Sequence, residues 1–174
     1  MSNLGARYIQ IDLGGWDNHQ NIYSTQGLFT PAKALDVGLA NLIADLATIP
    51  GSDGRALLDE TLIVAKGEFG RTVGNITSQN GRDHYFVHSA LVAGGGIIGG
   101  RAIGSTTPDG AYVQDPGWSA GRPVYAEDVA ATIYSALGID YSKTLHNDPL
   151  GRGFQYVMSS GDIVVGQPIL ELFQ

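Results

Sequence analysis

The sequence YIQIDLGGWDNH, residues 8–19, contains the first strand signal in the chain and its most concentrated polar chemistry. Tyr8–Leu13 is short and rich in β-branched and aromatic residues, which predicts a buried or half-buried strand. The strand is expected to end at Gly14-Gly15, and Asp17 and His19 follow at once. A carboxylate and an imidazole side by side at a strand end indicate either a metal site or a structural contact, and the two alternatives stay open here.

Further helices and strands are predicted along the chain. Thr30-Pro31 is typical of a helix start, with threonine as the capping residue and proline in the first turn. Apolar residues at helical spacing continue this helix until Pro50-Gly51. The other expected elements are strands over Thr61–Ala65 and His88–Ala93, a helix over Glu127–Leu137, a strand in DIVVG (162–166) and a terminal turn over Pro168–Phe173.

The order of these elements predicts the fold class. Thr61–Ala65, TLIVA, is apolar throughout, which is typical of a strand buried on both faces of a parallel sheet. Strands that alternate with helices favour an α/β fold with a mostly parallel sheet flanked by helices. No internal repeat or linker interrupts the 174 residues, so we expect a single domain over residues 1–174.

The composition excludes several classes of function. The net charge is −7 and no Lys/Arg cluster is present, so we expect no nucleic-acid partner. No apolar run reaches the ~18–20 residues of a membrane-spanning helix, so we expect no membrane span. The chain has no cysteine, which excludes disulfides and thiolate metal sites.

Two more polar clusters lie near strand ends. Glu68 and Arg71 follow the second predicted strand, and Asp83 and His84 precede the third. Together with Asp17 and His19 they supply a ligand set suited to zinc, manganese or iron, while a more oxygen-rich version would suit calcium or magnesium. Glu68 and Arg71 could equally form a loop salt bridge, and Asp83 could orient a histidine or occupy a turn.

Other conspicuous residues are assigned structural roles. His88 begins a predicted strand, and His146 lies in the turn-like segment LHNDPLG. The glycine-rich stretch 94–100 lacks the Lys-Ser/Thr ending of a phosphate-binding loop, so close packing is its expected role.

Taken in order, the motifs resemble a known family. GGWDNH (14–19), EFGRT (68–72), GRDH (81–84), AGGGIIGG (93–100) and DVAATIYSALGID (128–140) are together similar to the DUF1501 family, over roughly residues 7–157. The resemblance extends to the alkaline phosphatase-like superfamily, which includes sulfatases and cofactor-independent phosphoglycerate mutases. It implies an alkaline phosphatase-like fold, of which the chain resembles only the C-terminal part.

The resemblance also implies roles for individual residues. Asp17, His19 and His84 match the ligands of one metal ion, and Glu68 falls in the slot of a second-site ligand. Phe69 stands where the superfamily has a histidine, which implies that the second site is altered or lost. Arg71 and Asn75 are the candidates for holding an anionic group, with Arg71 as the catalytic one. No Ser or Thr matches the superfamily's nucleophile.

Three functions follow as expectations. The first is a metal-dependent hydrolase of phosphate or sulfate esters, with zinc as the first choice of metal and manganese, calcium or magnesium as others. The second is a non-catalytic, metal-containing module that binds a small anionic ester or a sugar. The third is a truncated fragment that covers an exposed sheet edge by forming a homo-oligomer. The resemblance implies an exported protein, although no signal peptide precedes Tyr8.

Overall fold

The computed structural model describes residues 7–158 and 166–174. Its two α-helices are α1 (Phe29–Thr48) and α2 (Ala126–Ala136). Two 3₁₀ turns occupy Leu57–Glu60 and Leu170–Phe173. The strands are β1 (Ile63–Ala65), β2 (Gly70–Arg71), β3 (His84–Tyr85), β4 (Leu91–Ala93), β5 (Ser105–Thr106), β6 (Val113–Asp115), β7 (Thr144–Leu145) and β8 (Phe154–Gln155).

The strands within the described ranges form four separate two-stranded sheets, and each of them is antiparallel. β1 pairs with β4, β2 with β3, β5 with β6 and β7 with β8. The predicted parallel sheet flanked by helices is therefore wrong. Thr61–Ala65 suggested a parallel strand because it is apolar throughout, but apolar continuity reports burial and carries no information on strand direction.

The predicted strand over Tyr8–Leu13 is also wrong. Every residue of this segment is exposed, and none lies in a strand. The segment has the composition of a strand, but a strand forms only where a neighbouring chain completes the ladder of backbone hydrogen bonds. The predicted strand over His88–Ala93 is confirmed only for Leu91–Ala93. The predicted strand at 162–166 lies almost wholly outside the described residues.

Both predicted helices are confirmed, although the start of α1 is stabilised differently from the expectation. α1 begins at Phe29, and the Thr30 hydroxyl donates to the Thr25 carbonyl oxygen instead of capping the helix. The helix stops before Pro50, because proline holds the preceding Ile49 in an extended conformation. α2 is followed by Gly138 at φ +70°, the expected left-handed residue after a helix.

The residue contacts divide the chain into two compact units. The first comprises residues 1–94 with 108–111, and the second comprises residues 95–107 with 112–174. The buried apolar side chains of the first are Ile22, Leu46, Leu57 and Ala111, and those of the second are Trp118, Ala131, Val157 and Ile169. Neither helix in the described part of the chain combines the length and apolarity that crossing a bilayer requires.

Candidate metal centre

Two loops of the first unit run side by side and place the polar cluster. The backbone N–H of Asn21 donates to the Gln79 carbonyl at 3.0 Å, and that of Ile22 donates to Asn80 at 2.8 Å. At the other end, the N–H of Arg82 donates to the Asn18 carbonyl at 3.0 Å. These bonds hold the loop that carries Asp17 and His19 against the segment that leads into β3.

Gly81 makes this close approach possible. A Cβ atom built at Gly81 would collide with the backbone carbonyl of His19. Any larger residue would therefore push the two loops apart. Nothing lies within 4 Å of a Cβ built at Gly14, so not every glycine beside the cluster is constrained in this way.

The β2–β3 pair brings the two motifs EFGRT and GRDH together. Arg71 is the register partner of His84. Next to this pair, the Thr72 N–H donates to the Asp83 carbonyl at 2.9 Å, and the Asp83 N–H donates to the Thr72 hydroxyl at 3.1 Å. These contacts place Asp83 and His84 beside Asp17 and His19.

Asp17, His19 and His84 present one ligand atom each to a common point. The Nε2 atom of His19 lies 3.0 Å from Asp17 Oδ1, and the Nε2 atom of His84 lies 3.2 Å from it. The two Nε2 atoms are 3.2 Å apart. The side chains of Asp17, His19 and His84 are 68%, 42% and 51% exposed, so the cluster is open to solvent.

These separations fit a divalent metal ion. Ligand atoms about 2.1 Å from one ion lie about 3.0 Å apart at octahedral angles and about 3.4 Å apart at tetrahedral angles. The observed distances between the ligand atoms of Asp17, His19 and His84 are 3.0–3.2 Å and fall within that interval. Two imidazoles and one carboxylate form a donor set that suits zinc.

Asp83 fixes the orientation of His19. Asp83 Oδ1 lies 2.7 Å from Nδ1 of the His19 ring. When neutral His19 donates its Nδ1–H to this carboxylate, Nε2 carries the lone pair. That lone pair then faces Asp17 Oδ1, and a cation between the two atoms would relieve their repulsion. A carboxylate behind a ligating histidine is a common arrangement in metal sites.

Phe69 packs against His84 on the other side of the cluster. The centroids of the two rings are 4.1 Å apart, and the ring planes are inclined by 36°. The guanidinium of Arg71 lies 5.7 Å from the centre of the same phenylalanine ring. The ring is unable to ligate a metal, but it limits the orientations open to the imidazole.

Arg71 neutralises the carboxylate of the cluster. Its Nη2 donates to Asp17 Oδ1 at 2.6 Å, and its Nη1 donates to the Arg82 carbonyl at 3.2 Å. The hydrogen bond from Arg71, followed by that from His84, lowers the pKa of Asp17 below its ordinary value. Asp17 is therefore ionised at neutral pH, which is the form that binds a metal.

The structure brings together Asp17, His19, Arg71, Asp83 and His84. The sequence also predicted Glu68 as a metal ligand. In the structure Glu68 is exposed and is not part of the three-ligand group. Asn75 is exposed as well. His88 and His146 are likewise outside the metal-type group found among the described residues.

Sequence reasoning missed the supporting roles of Gly81, Thr72 and Phe69. The motif GRDH shows a glycine directly before Arg-Asp-His, but the need for glycine there depends on the backbone of His19, which is far away in the sequence. The sequence indicates only that Phe69 is unable to ligate a metal. Its ring contact with His84 depends on strand pairing, which the sequence did not reveal.

The comparisons with known proteins identify a family. A family model described as "Protein of unknown function (DUF1501)" matches residues 1–166. The searches of curated proteins and of solved structures gave no match. Because the match extends over most of the 174 residues, the chain belongs to the DUF1501 family.

Proposed function

We propose that the chain binds one divalent metal ion, with zinc as the first choice, through Asp17, His19 and His84. The observation that carries this proposal is the His19 ring, held by Asp83 on one side while its Nε2 faces Asp17 Oδ1 at 3.0 Å. The nearby Nε2 of His84 supplies the third ligand atom. Manganese, calcium and magnesium are the alternative ions, although two nitrogen donors favour zinc over the last two.

The number of ligands favours a reactive site over a purely structural one. Structural zinc sites are usually closed by four protein ligands, whereas catalytic sites use three and leave a position open. The cluster offers three side chains that are about half exposed. An added small molecule could therefore reach this position from solvent.

We further propose that the site hydrolyses phosphate or sulfate esters. A divalent metal bound there would polarise an ester oxygen and lower the pKa of a coordinated water. Arg71, which touches the same carboxylate oxygen, supplies a fixed positive charge for an anionic ester. Asp83 keeps His19 in the tautomer that leaves Nε2 free. The order of the motifs supports a relationship to the alkaline phosphatase-like superfamily at the level of this site.

The second candidate is a metal-containing module that binds a small anionic ester or a sugar without turning it over. Thr72, adjacent to Arg71, carries the hydroxyl next to the candidate catalytic residue. That hydroxyl accepts a hydrogen bond from the Asp83 backbone, and the partner is not a general base. This observation favours binding without a covalent step on Thr72.

A hydrolysis assay separates the two candidates. Purified chain would be supplied with zinc, manganese, magnesium or calcium and mixed with an aryl phosphate and an aryl sulfate. We expect release of the aryl alcohol by wild type, loss of this activity in His84→Ala, and unchanged activity in the control His88→Ala. Arg71→Ala should retain zinc while its rate falls at least tenfold.

The outcomes lead to different conclusions. Zinc binding without release of product from either ester would reject the hydrolase and leave the binding module. Equal activity in wild type and His84→Ala would show that the activity does not come from this site.

A further inference from the structure

Asn80-Gly81 is the one Asn-Gly sequence in the chain, and the local backbone favours both of its residues. Asn80 has φ +58°, a left-handed conformation that asparagine and glycine adopt more readily than other residues. At Gly81, an added Cβ atom would collide with the backbone carbonyl of His19. The close approach of the two loops therefore selects a dipeptide that is chemically labile.

The lability of Asn-Gly follows from the missing side chain of glycine. The backbone nitrogen of Gly81 is able to attack Cγ of Asn80 with little steric hindrance. A bond forms between this nitrogen and Cγ, the Cγ–Nδ2 bond breaks, and Nδ2 leaves as ammonia with the proton of the Gly81 N–H. Solvent water then opens the succinimide ring at either carbonyl, which gives aspartate or isoaspartate.

In the folded protein, both ends of the peptide group between Asn80 and Gly81 are held. The Gly81 N–H donates to the Thr77 hydroxyl at 3.0 Å, and the Asn80 carbonyl oxygen accepts from the Ile22 N–H at 2.8 Å. The Asn80 N–H also donates to the Thr77 carbonyl at 2.9 Å, which closes the turn. Rotation of the peptide group toward Cγ would break the first two of these hydrogen bonds.

The two residues also differ in exposure. Asn80 is exposed, whereas Gly81 is buried. The side chain that would lose ammonia is therefore within reach of water, while the attacking nitrogen is shielded from the base that has to remove its proton.

We propose that Asn80-Gly81 is a latent deamidation site, which the Thr77 hydroxyl keeps unreactive in the folded protein. The reaction requires a local opening that frees the Gly81 N–H, so its rate depends on how often this turn opens. Conversion to isoaspartate would add one carbon atom to the main chain at residue 80, next to the hydrogen bond from Ile22. This inference does not depend on the proposed metal site.

Peptide mapping of the full chain after incubation in mildly alkaline buffer tests the proposal. Trypsin releases residues 72–82 as one peptide, because it cleaves after Arg71 and Arg82. Chromatography separates the asparagine, aspartate and isoaspartate forms of this peptide, and fragmentation shows whether Asn80 is the converted residue. We expect slow conversion in folded wild type and much faster conversion in urea, where the turn is absent.

Variants at Thr77 separate the effect of the hydroxyl from that of shape. Thr77→Val keeps the branched shape but removes the acceptor of the Gly81 N–H, so conversion should be roughly threefold to tenfold faster, as expected for the loss of one hydrogen bond. Thr77→Ala removes the same acceptor and should behave alike, whereas Thr77→Ser keeps a hydroxyl and should convert at the wild-type rate. The control Ser78→Ala removes the exposed hydroxyl of the next residue and should have no effect.

A general loss of stability would also speed the reaction, so urea unfolding curves and circular dichroism accompany the rates. In urea all variants should convert at one rate, because the hydrogen bond from Gly81 exists only in the folded protein. Three results would overturn the proposal: equal rates for wild type in buffer and in urea, folded Thr77 variants without the hydroxyl that convert no faster than wild type, or equal acceleration by Thr77→Val and Ser78→Ala.

Discussion

The polar cluster at Asp17, His19 and His84 contrasts with a second polar cluster in the other unit. There, Asp128 is fully buried, and its two oxygens accept four hydrogen bonds. Arg122 supplies two of them, at 2.6 and 2.8 Å, and the backbone N–H groups of Tyr125 and Gln167 supply the others, at 2.7 and 2.9 Å. Both oxygens of the Asp128 carboxylate are therefore hydrogen-bonded within the protein.

The first cluster differs in charge and in exposure. Asp17 Oδ1 lies within 3.2 Å of two imidazole nitrogens, while Asp83 occupies the other nitrogen of His19. Arg71 supplies one positive charge for two carboxylates, and the site stays open to solvent. The comparison separates a buried polar group, whose carboxylate oxygens are all hydrogen-bonded within the protein, from an exposed cluster that we propose to bind a metal ion.

The largest expected effect is the loss of the buried ion pair. Asp128→Ala leaves Arg122 without its partner, and breaking a buried pair costs about 3–5 kcal/mol. We expect the second unit to unfold. Trp118, whose ring packs against Arg122, reports this by fluorescence in a Trp16→Phe background, where it is the sole tryptophan.

The exposed ion pair Arg55–Asp53 provides the control for this effect. Asp53→Ala removes a partner in solvent, where such pairs contribute little, so Trp118 fluorescence should be unchanged. If Asp128→Ala left the unfolding transition of the second unit in place, the buried pair would not be what holds this unit together.

The second largest effect is expected from a change that pushes the loop at His19 away from the segment before β3. Gly81→Ala forces the loop at His19 away from β3, and we expect zinc affinity to fall more than tenfold. Gly14→Ala should have no such effect, since nothing lies within 4 Å of the added methyl group. Isothermal titration with zinc would compare the two, and equal affinities would contradict the role given to Gly81.

Removing the carboxylate behind His19 is expected to have a moderate effect. Asp83→Asn keeps the size of the side chain but removes its charge, and loss of such a partner usually weakens metal binding 10–100-fold. Asp36→Asn, a change at an exposed aspartate of α1, should bind zinc as wild type does. Matching affinities in Asp83→Asn and wild type would mean that His19 is oriented by other contacts.

The smallest effect concerns acid stability. Burial raises the pKa of Asp128, but the hydrogen bonds from Arg122, Tyr125 and Gln167 outweigh it, so the pKa lies below its ordinary 3.8. A depressed folded-state pKa stabilises the fold above about pH 4, and this stability is lost as the pH falls through the folded value. Thermal melts followed at Trp118 should therefore show a falling midpoint below pH 4. A midpoint that stays constant there would contradict this.

The sequence predicted helices well, since their apolar periodicity and end signals are local. Each end of α1 and of α2 lies within two residues of its expected position. It predicted strand pairing poorly, because direction and partner depend on residues far apart. The predicted strands over Thr61–Ala65 and His88–Ala93 contain β1 and β4, yet the antiparallel register of the two is invisible in either one alone.

The same distinction applies to the site. Asp17, His19 and His84 could be proposed because their residue types are those of metal ligands. Glu68 has the right type as well, and only the structure separates it from the other three. Residues that act by shape, such as Gly81 and Phe69, could not be found without the partner loop and strand.

The central claim is that Asp17, His19 and His84 hold a metal ion, and zinc content tests it most directly. The chain would be purified, incubated with zinc, desalted and analysed by mass spectrometry, beside the double variant Asp17→Ala/His84→Ala and the control Glu68→Ala. We expect about one zinc per chain in wild type and in Glu68→Ala, and none in the double variant. A wild-type protein without zinc, or a double variant with as much zinc as wild type, would contradict the account.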